Sequence, residues 1–370
     1  MRRFEFVGGS SNKFWEIGQS GTQVTVHFGR IGTNGQTQAK DLGTWEAAAD
    51  RVRRLVREKL AEGYLEVGGQ TPKVELGRGG QRPPELPPYV VPPLPTEGRV
   101  SIGPINLPSG RALSGSLEMG PRGVDVISSP PVIWATDAPV LDAGSVLRGL
   151  RQSAGALNLV PALLIGMDSQ PERPWESREF SPTDPRRIDW FDAAEELAHA
   201  WRNCFEEEDE ESLAPVEPFG IDFPGLAAAP AVTPPSGFGR LFNRSVDPND
   251  DSDVLSQLKS RRVALIAAKR PADTIAAIGW IGAVNVHDDP APMSAVLRSW
   301  EDRWHARVVE IGFDTLMLTV GNPPPDGQSA LALAAEHFAF CPDNIWQGSG
   351  TLAEYAKSLQ RTKQWNFWWD

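Results

Sequence analysis

The residues with the most reactive chemistry lie near the end of the chain. His337 and Cys341 stand four positions apart in the string HFAFCPDN, with Asp343 just beyond. On a helix, positions four apart share a face, so an imidazole there could take the proton of a thiol and leave a nucleophilic thiolate. The same string has a second reading. Phe338 and Phe340 surround the pair and Pro342 follows, which suits a buried structural cysteine. Asp343 and Asn344 after a proline suit a turn and a cap. No catalytic residue is therefore assigned, and His337, Cys341 and Asp343 stand as candidates only. A second set is Phe28, Gly29 and Arg30. Arg30 offers a planar fork for phosphate oxygens, and Gly29 and Gly32 let a backbone come close. Phe28 offers a stacking face for a base or sugar, or else it continues the apolar face of Val24 and Val26 into a core. Lys13, Lys40 and Arg54 complete the basic set that a nucleic acid would use. A third set is Trp346 with the terminal Phe367, Trp368, Trp369 and Asp370. These rings either clasp the chain end into a core or line a pocket with the Asp370 carboxylates at its rim.

Other chemistry is not signalled. The chain has no GxxxxGK[ST], HExxH or GxSxG string and no GxGxxG after a strand. The five histidines, His27, His199, His287, His305 and His337, are scattered. His287, Asp288 and Asp289 could ligate a metal, but without a second histidine nearby they read as a loop turn. Neither a metal nor a cofactor is expected.

These candidates need elements to hold them, and composition sets the bounds. Of 370 residues, 40% are hydrophobic and 8% aromatic, which supports real cores and excludes full disorder. Apolar runs stop well short of the roughly 18 residues of a membrane helix. The N-terminus lacks the apolar stretch of a secretion signal, and two cysteines make no disulfide framework, so a cytoplasmic protein is expected. Residues 70–97 are proline-rich and read as a semi-rigid linker. This segment divides the net charge of -12: about +3 falls on residues 1–62 and about -14 on residues 98–370. The whole-chain acidity argues against a nucleic-acid coat, but the division leaves a basic small domain beside an acidic large one.

The small domain reads as strands followed by a helix. Phe4 and Phe6, Trp15 and Ile17, and Val24, Val26 and Phe28 alternate with polar residues. Asn34-Gly35 signals a hairpin. A helix is expected after Thr44 as its cap, running to about Glu62 before Gly63, with Val52, Leu55, Val56 and Leu60 facing the sheet. The strings KFWEI, HFGRIGTNGQT and KLAEGYLEV resemble a WGR domain, over about residues 2–67. That family is named for a Trp-Gly-Arg tripeptide and occurs in DNA-damage-activated poly(ADP-ribose) polymerases and in many bacterial proteins. The resemblance implies a small antiparallel sheet with one packed helix. As in the polymerases, it implies contact with DNA ends, the aromatic and arginine lying near the terminal sugar-phosphate. Phe28, Gly29 and Arg30 are the matching positions. Phenylalanine replaces the tryptophan here, which keeps a stacking face and removes the indole donor.

The large domain alternates strand-length and helix-length apolar segments. Helices are expected over 189–205, from Pro271 to Ile278, over 293–304 and over 329–340, and Thr351 with Glu354 forms a capping box. Strands are expected over 263–268, 307–311 and 315–320, the last two joined by a tight turn at 312–314. The six acids at 206–211 read as a solvated loop or as a docking site for a basic partner. HFAFCPDNIWQG and the terminal FWWD resemble a bacterial family recognised by a C-terminal Phe-Trp-Trp-Asp, most densely over 263–370. RPWESREF and FPGLAAAP extend that resemblance upstream.

The expected fold is α+β. Residues 1–68 form a WGR-like domain, 69–97 a proline-rich linker and 98–370 a mixed α/β domain. The expected function is that of a non-catalytic bacterial binding protein. Its small domain contacts nucleic acid, DNA before RNA, and its acidic domain binds a second, protein partner. Two other readings stay open: a protein-interaction or toxin-immunity module with the small domain as a docking unit, and an enzyme of unrecognised class. No membrane association is expected.

Overall fold

Alternation of apolar and polar residues sets the first sheet. A computed structural model describes residues 1–8, 11–30, 36–61, 65–66, 89–118, 127–205, 214–230, 251–284, 286–287 and 289–369. The chain divides into two units, residues 1–83 and 84–370. In the first, β1 (Arg2–Gly8), β2 (Ser11–Ser20), β3 (Gln23–Arg30), β4 (Gln36–Asp41) and the short β5 (Leu65–Glu66) make an antiparallel sheet in the order β4-β3-β2-β1-β5. Phe4, Trp15, Ile17 and Val24 point to one face and are buried against Ala48 and Val56 of helix α1 (Trp45–Ala61). Phe4 and Trp15 are cross-strand partners with ring centroids 5.4 Å apart, the pair geometry that stabilises such sheets. The β2–β3 turn uses Gly21 at φ +62, a conformation glycine takes without steric cost. The hairpin signal at Asn34-Gly35 and the stop at Gly63 lie outside the described residues.

The second unit is built on eight strands: β6 (Gly98–Ile102), β7 (Ile105–Leu113), β10 (Ile133–Thr136), β11 (Val160–Leu164), β12 (Arg262–Ile266), β13 (Ala306–Ile311), β14 (Thr315–Val320) and β15 (Gln364–Trp368). Their order is β15-β14-β13-β11-β12-β10-β7-β6. Neighbours run antiparallel except β11 and β13, which are parallel. Between them in sequence, β8 (Ser116–Glu118) and β9 (Ile127–Ser128) pair as a separate ribbon. Every residue of β10 and β11 is buried, so the centre of the sheet is covered on both faces. Helix α2 (Ala143–Arg151) packs on β11 and β12, while α3 (Ala193–Asn203), α4 (Pro290–Trp304), α5 (Gly327–Phe340) and α6 (Leu352–Leu359) pack on one another and on the β13 end. The fold is thus α+β.

Capping explains where these helices begin. Asp192, Asp289, Asp326 and Thr351 each accept a hydrogen bond from a first-turn backbone N–H. The cap at Asp192 divides the helix expected over 189–205. Its extended backbone ends a 3₁₀ turn at Pro185–Trp190, and its carboxylate takes the N–H groups of Ala194 and Glu195 to start α3. The helix expected from Pro271 likewise begins as a 3₁₀ turn at Pro271–Asp273 and closes at Gly279, φ +64. A Cβ on Gly279 would lie 1.6 Å from the Ser181 carbonyl oxygen, so only glycine fits there. The end of the proline-rich segment belongs to the second unit. Val91 and Leu94 pack on its core, Arg186 stacks on the Tyr89 ring at 5.4 Å, and the Thr96 carbonyl accepts from Trp134 Nε1 at 3.1 Å. The six acids and residues 231–240 lie outside the described residues.

Candidate functional site

Register decides which of the basic candidates meet. Lys13 of β2 is the cross-strand partner of Arg30 in β3, Phe14 that of Gly29, and Trp15 that of Phe28. Lys13, Gly29 and Arg30 therefore share one end of the β2–β3 pair. The side chains of Lys13, Arg30 and Arg54 lie outside the description. Phe28 is half-buried and packs on the core cluster of Phe4 and Trp15. Lys40 is exposed but pairs with Val24, six residues along β3 from Arg30, or about 20 Å at strand rise. Arg54 sits on α1. Four of the six residues thus share one end of the β2–β3 pair, Lys40 lies away from it along β3, and Arg54 stands on the helix.

The other face of the sheet carries a polar row that sequence reading missed. Arg3, Glu16 and His27 are successive cross-strand partners on β1, β2 and β3. Arg3 Nη1 donates to Glu16 Oε1 at 2.7 Å and Arg3 Nε to Glu5 Oε1 at 2.8 Å, while His27 Nδ1 lies 2.7 Å from Glu16 Oε2. The Arg3 guanidinium lies over the Phe14 ring at 4.7 Å, and the His27 ring meets Phe14 edge-on at 4.9 Å. Hydrogen bonds from His27 and Arg3 hold the Glu16 carboxyl below its usual range, and the same carboxylates raise Arg3. The only signal in the sequence was the polar half of the alternation, and pairing it required the register.

The C-terminal candidates meet in a different environment. His337 is fully buried in α5, with the rings of Trp365, Trp300 and Phe367 centred 4.6, 4.7 and 4.9 Å away. Its Nδ1 lies 3.1 Å from Tyr355 Oη, which also accepts from Asn344 Nδ2 at 3.0 Å. The other ring nitrogen, Nε2, is buried with no hydrogen-bond partner among the described residues. Burial holds this imidazole well below its ordinary value, that is, neutral. The spacing that suggested a thiolate–imidazole pair is not realised. Cys341 has already left the helix, with φ -147 and ψ 84, and its thiol donates to the Trp368 carbonyl at 2.9 Å. Burial pushes that thiol up to about 12, so no thiolate forms near neutrality. Asp343 accepts from Gln347 Nε2 one turn on.

The terminal aromatics continue this knot. Strand β15 pairs with β14 and buries Trp365 and Phe367, and Trp369 beyond it is 2% exposed with Nε1 donating to the Phe340 carbonyl. Trp346 and Trp368 are 44% and 40% exposed. The outer edge of β15 is covered by a side chain: Asn344 donates to the Asn366 carbonyl at 2.8 Å and accepts from Trp368 N at 3.3 Å. One amide thus imitates a neighbouring strand and blunts the edge. Asp370 lies outside the described residues.

Glu336, next to His337, was not singled out by sequence. It is fully buried, takes both Arg303 Nη atoms at 2.9 and 2.5 Å, and accepts from Trp300 Nε1 at 2.8 Å and Ala227 N at 2.7 Å. These four bonds satisfy a buried carboxylate and tie the loop at Ala227 to α4 and α5. Among the described residues no cluster of three or more His, Cys, Asp or Glu is placed to hold a metal, and no helix is long and apolar enough to cross a membrane.

Comparison with known families agrees with this division. Residues 1–71 match the WGR domain family, and residues 262–370 match a domain of unknown function, DUF4253. The chain carries both domains. Among curated relatives, protein YehF of Escherichia coli K12 is 36% identical over 66 residues, which is 18% of this chain and 24% of YehF. Uncharacterized protein YfeS of the same organism is 32% identical over 65 residues, 18% of this chain and 27% of YfeS. The chain thus spans about a quarter of the length of these relatives. A crystal structure of a Bacteroides fragilis protein is 41% identical, with a TM-score of 0.18, and the match covers 18% of this chain and 19% of that one.

Proposed function

We propose that this is a non-catalytic, cytoplasmic binding protein whose WGR domain contacts nucleic acid, DNA before RNA, and whose acidic second unit binds a protein partner. The observation that carries the reading is the register that sets Lys13 beside Arg30, with Gly29 between strand end and Phe28, in a domain that matches the WGR family. Two cations side by side on adjacent strands can straddle a phosphate backbone, and a glycine beside them lets the backbone approach. Residues 1–62 carry about +3, so the contact is weak and strongly salt-dependent. Residues 98–370, at about -14, repel nucleic acid and suit a partner of opposite charge. The neutral His337 and protonated Cys341 support a non-catalytic role, and the free cysteines suit a reducing cytoplasm.

The test is a fluorescence-anisotropy titration of the full chain with blunt duplex, nicked duplex, single-stranded DNA and RNA across a salt series. Binding at low salt that fades with salt is expected. Arg30→Ala and Lys13→Ala should each weaken it and flatten the salt slope by about 0.9. No binding at low salt, or binding indifferent to Arg30→Ala, overturns the reading.

A further inference from the structure

We propose that a groove along α4 in the second unit docks an extended cationic protein segment carrying an apolar side chain. This inference rests on the reading that the acidic unit binds a protein partner, and gives that partner a place and a chemistry.

The groove, of about 460 Å³, runs between α4 and the wall formed by the Pro185–Trp190 turn and the start of α3. Its α4 side is Ala295, Arg298, Ser299, Asp302 and Arg303, one face of a helix by their spacing. From Ala295 to Arg303 that face is about 12 Å long at helical rise, the length of roughly four residues of extended chain. Ile188, Phe191 and Leu226 give it an apolar lining, and Leu226 is left 38% exposed.

Charge selects the occupant. Both arginines in the groove are already bonded. Arg298 donates to Asp189 at 2.5 Å and Asp273 at 2.6 Å, and Arg303 is held by Glu336 at 2.5 Å. Counting Asp192 and Asp302, five carboxylates face two guanidinium groups. Arg270 bonds both Asp302 at 2.5 Å and Glu301 at 3.2 Å, and counting it together with Glu301 leaves that excess unchanged. The Asp189 and Asp302 side chains are 68% and 66% exposed, so their remaining lone pairs face solvent. Paired arginines at the floor do not recruit an anion, whereas exposed carboxylates around an apolar trench suit Lys or Arg beside a Leu-like anchor. The negative field of the whole unit steers such a segment inward.

The test uses the full chain and a fluorescein-labelled peptide, Arg-Leu-Arg-Leu-Arg-Lys, read by anisotropy at low and high salt. Controls are the same peptide with glutamate for arginine and with glycine for leucine. The double variant Asp189→Asn/Asp302→Asn should weaken binding about tenfold and Leu226→Ser several-fold, with unchanged far-UV CD. Glu354→Gln, an exposed acid outside the groove lining, should leave binding unchanged. If the arginine peptide binds but Glu354→Gln weakens it as much as the double variant, the groove assignment falls while a cationic partner for the acidic unit stands. If no arginine peptide binds at low salt, the cationic partner falls with it.

Discussion

Two histidines show how differently the two units treat polar groups. His27 lies on the open face of the first sheet, in a row with Glu16 and Arg3, and its side chain is 27% exposed. His337 lies inside the second unit, ringed by Trp300, Trp365 and Phe367, and is fully buried. The first keeps a charged neighbour within hydrogen-bond reach and contact with water. The second is held neutral by burial and serves packing. Sequence spacing pointed to His337, because four residues on a helix is a local relation. His27 and Glu16 are eleven residues apart and meet only through register. An ionisable residue is available for chemistry through its surroundings, and those are set by tertiary structure.

The comparison breaks most visibly at Glu336. Glu336→Gln leaves Arg303 with an uncompensated charge in a buried site and is expected to destabilise the second unit by about 3–5 kcal/mol. Urea unfolding followed by tryptophan emission measures it. Adding Arg303→Met should recover much of the loss; a double variant no better than the single one would show that the pair is not what the site requires. Next in size is Ile17→Ala in the first unit, where a residue 1% exposed leaves a cavity costing about 2–5 kcal/mol. Far-UV CD should show the first transition moving and the second standing still. Joint movement would mean the two units unfold as one.

Much of each unit was legible locally, and what was not shares one physical reason. Period-2 alternation at Val24, Val26 and Phe28 marked β3, and the tight turn at 312–314 and the cap at Thr351 stood where their residue types put them. What local pattern could not show was choice of partner. Strand β12 lies between β10 and β11, although α2 and β11 precede it in sequence, and β11 runs parallel to β13. The terminal WNFWW could be read as aromatic, yet its role as the eighth strand depends on β14 being free on that side. Asp192 could be read as one more polar residue of a helix, and only the 3₁₀ turn before it makes it a cap. The Lys13–Arg30 pairing and the Arg3–Glu16–His27 row are likewise products of register.

Acid should separate the units by a smaller amount. The folded His337 value lies well below its ordinary 6.5, so beneath pH 6.5 the unfolded chain binds a proton that the folded chain refuses. Stability from this group is complete above pH 6.5 and falls with pH by about 1.4 kcal/mol per unit until the folded value is reached. Glu16 in the first unit is shifted down from 4.5, so its contribution is present above 4.5 and is lost only as pH falls below that, through its folded value. Between pH 6.5 and 4.5, unfolding curves should therefore show the second unit weakening while the Glu16 contribution to the first persists. His337→Phe should flatten that slope, and a slope unchanged by the substitution would place its origin elsewhere.

The smallest effect belongs to Arg3. It bonds Glu5 and Glu16 and lies over Phe14, but at 36% exposure water competes for every one of these contacts. Arg3→Gln should cost under about 1 kcal/mol, in the range of exposed ion pairs. Its clearer consequence is electrostatic. Glu16 would lose the second of its two hydrogen-bonded partners and keep His27, so its titration, followed by carboxyl NMR shifts, should move up toward the ordinary carboxylate range without reaching it. If Glu16 does not move, His27 alone holds it, and the row is a pair rather than a triad. Either result tests whether the exposed face is tuned by neighbours that solvent can reach, in contrast to the burial that fixes His337.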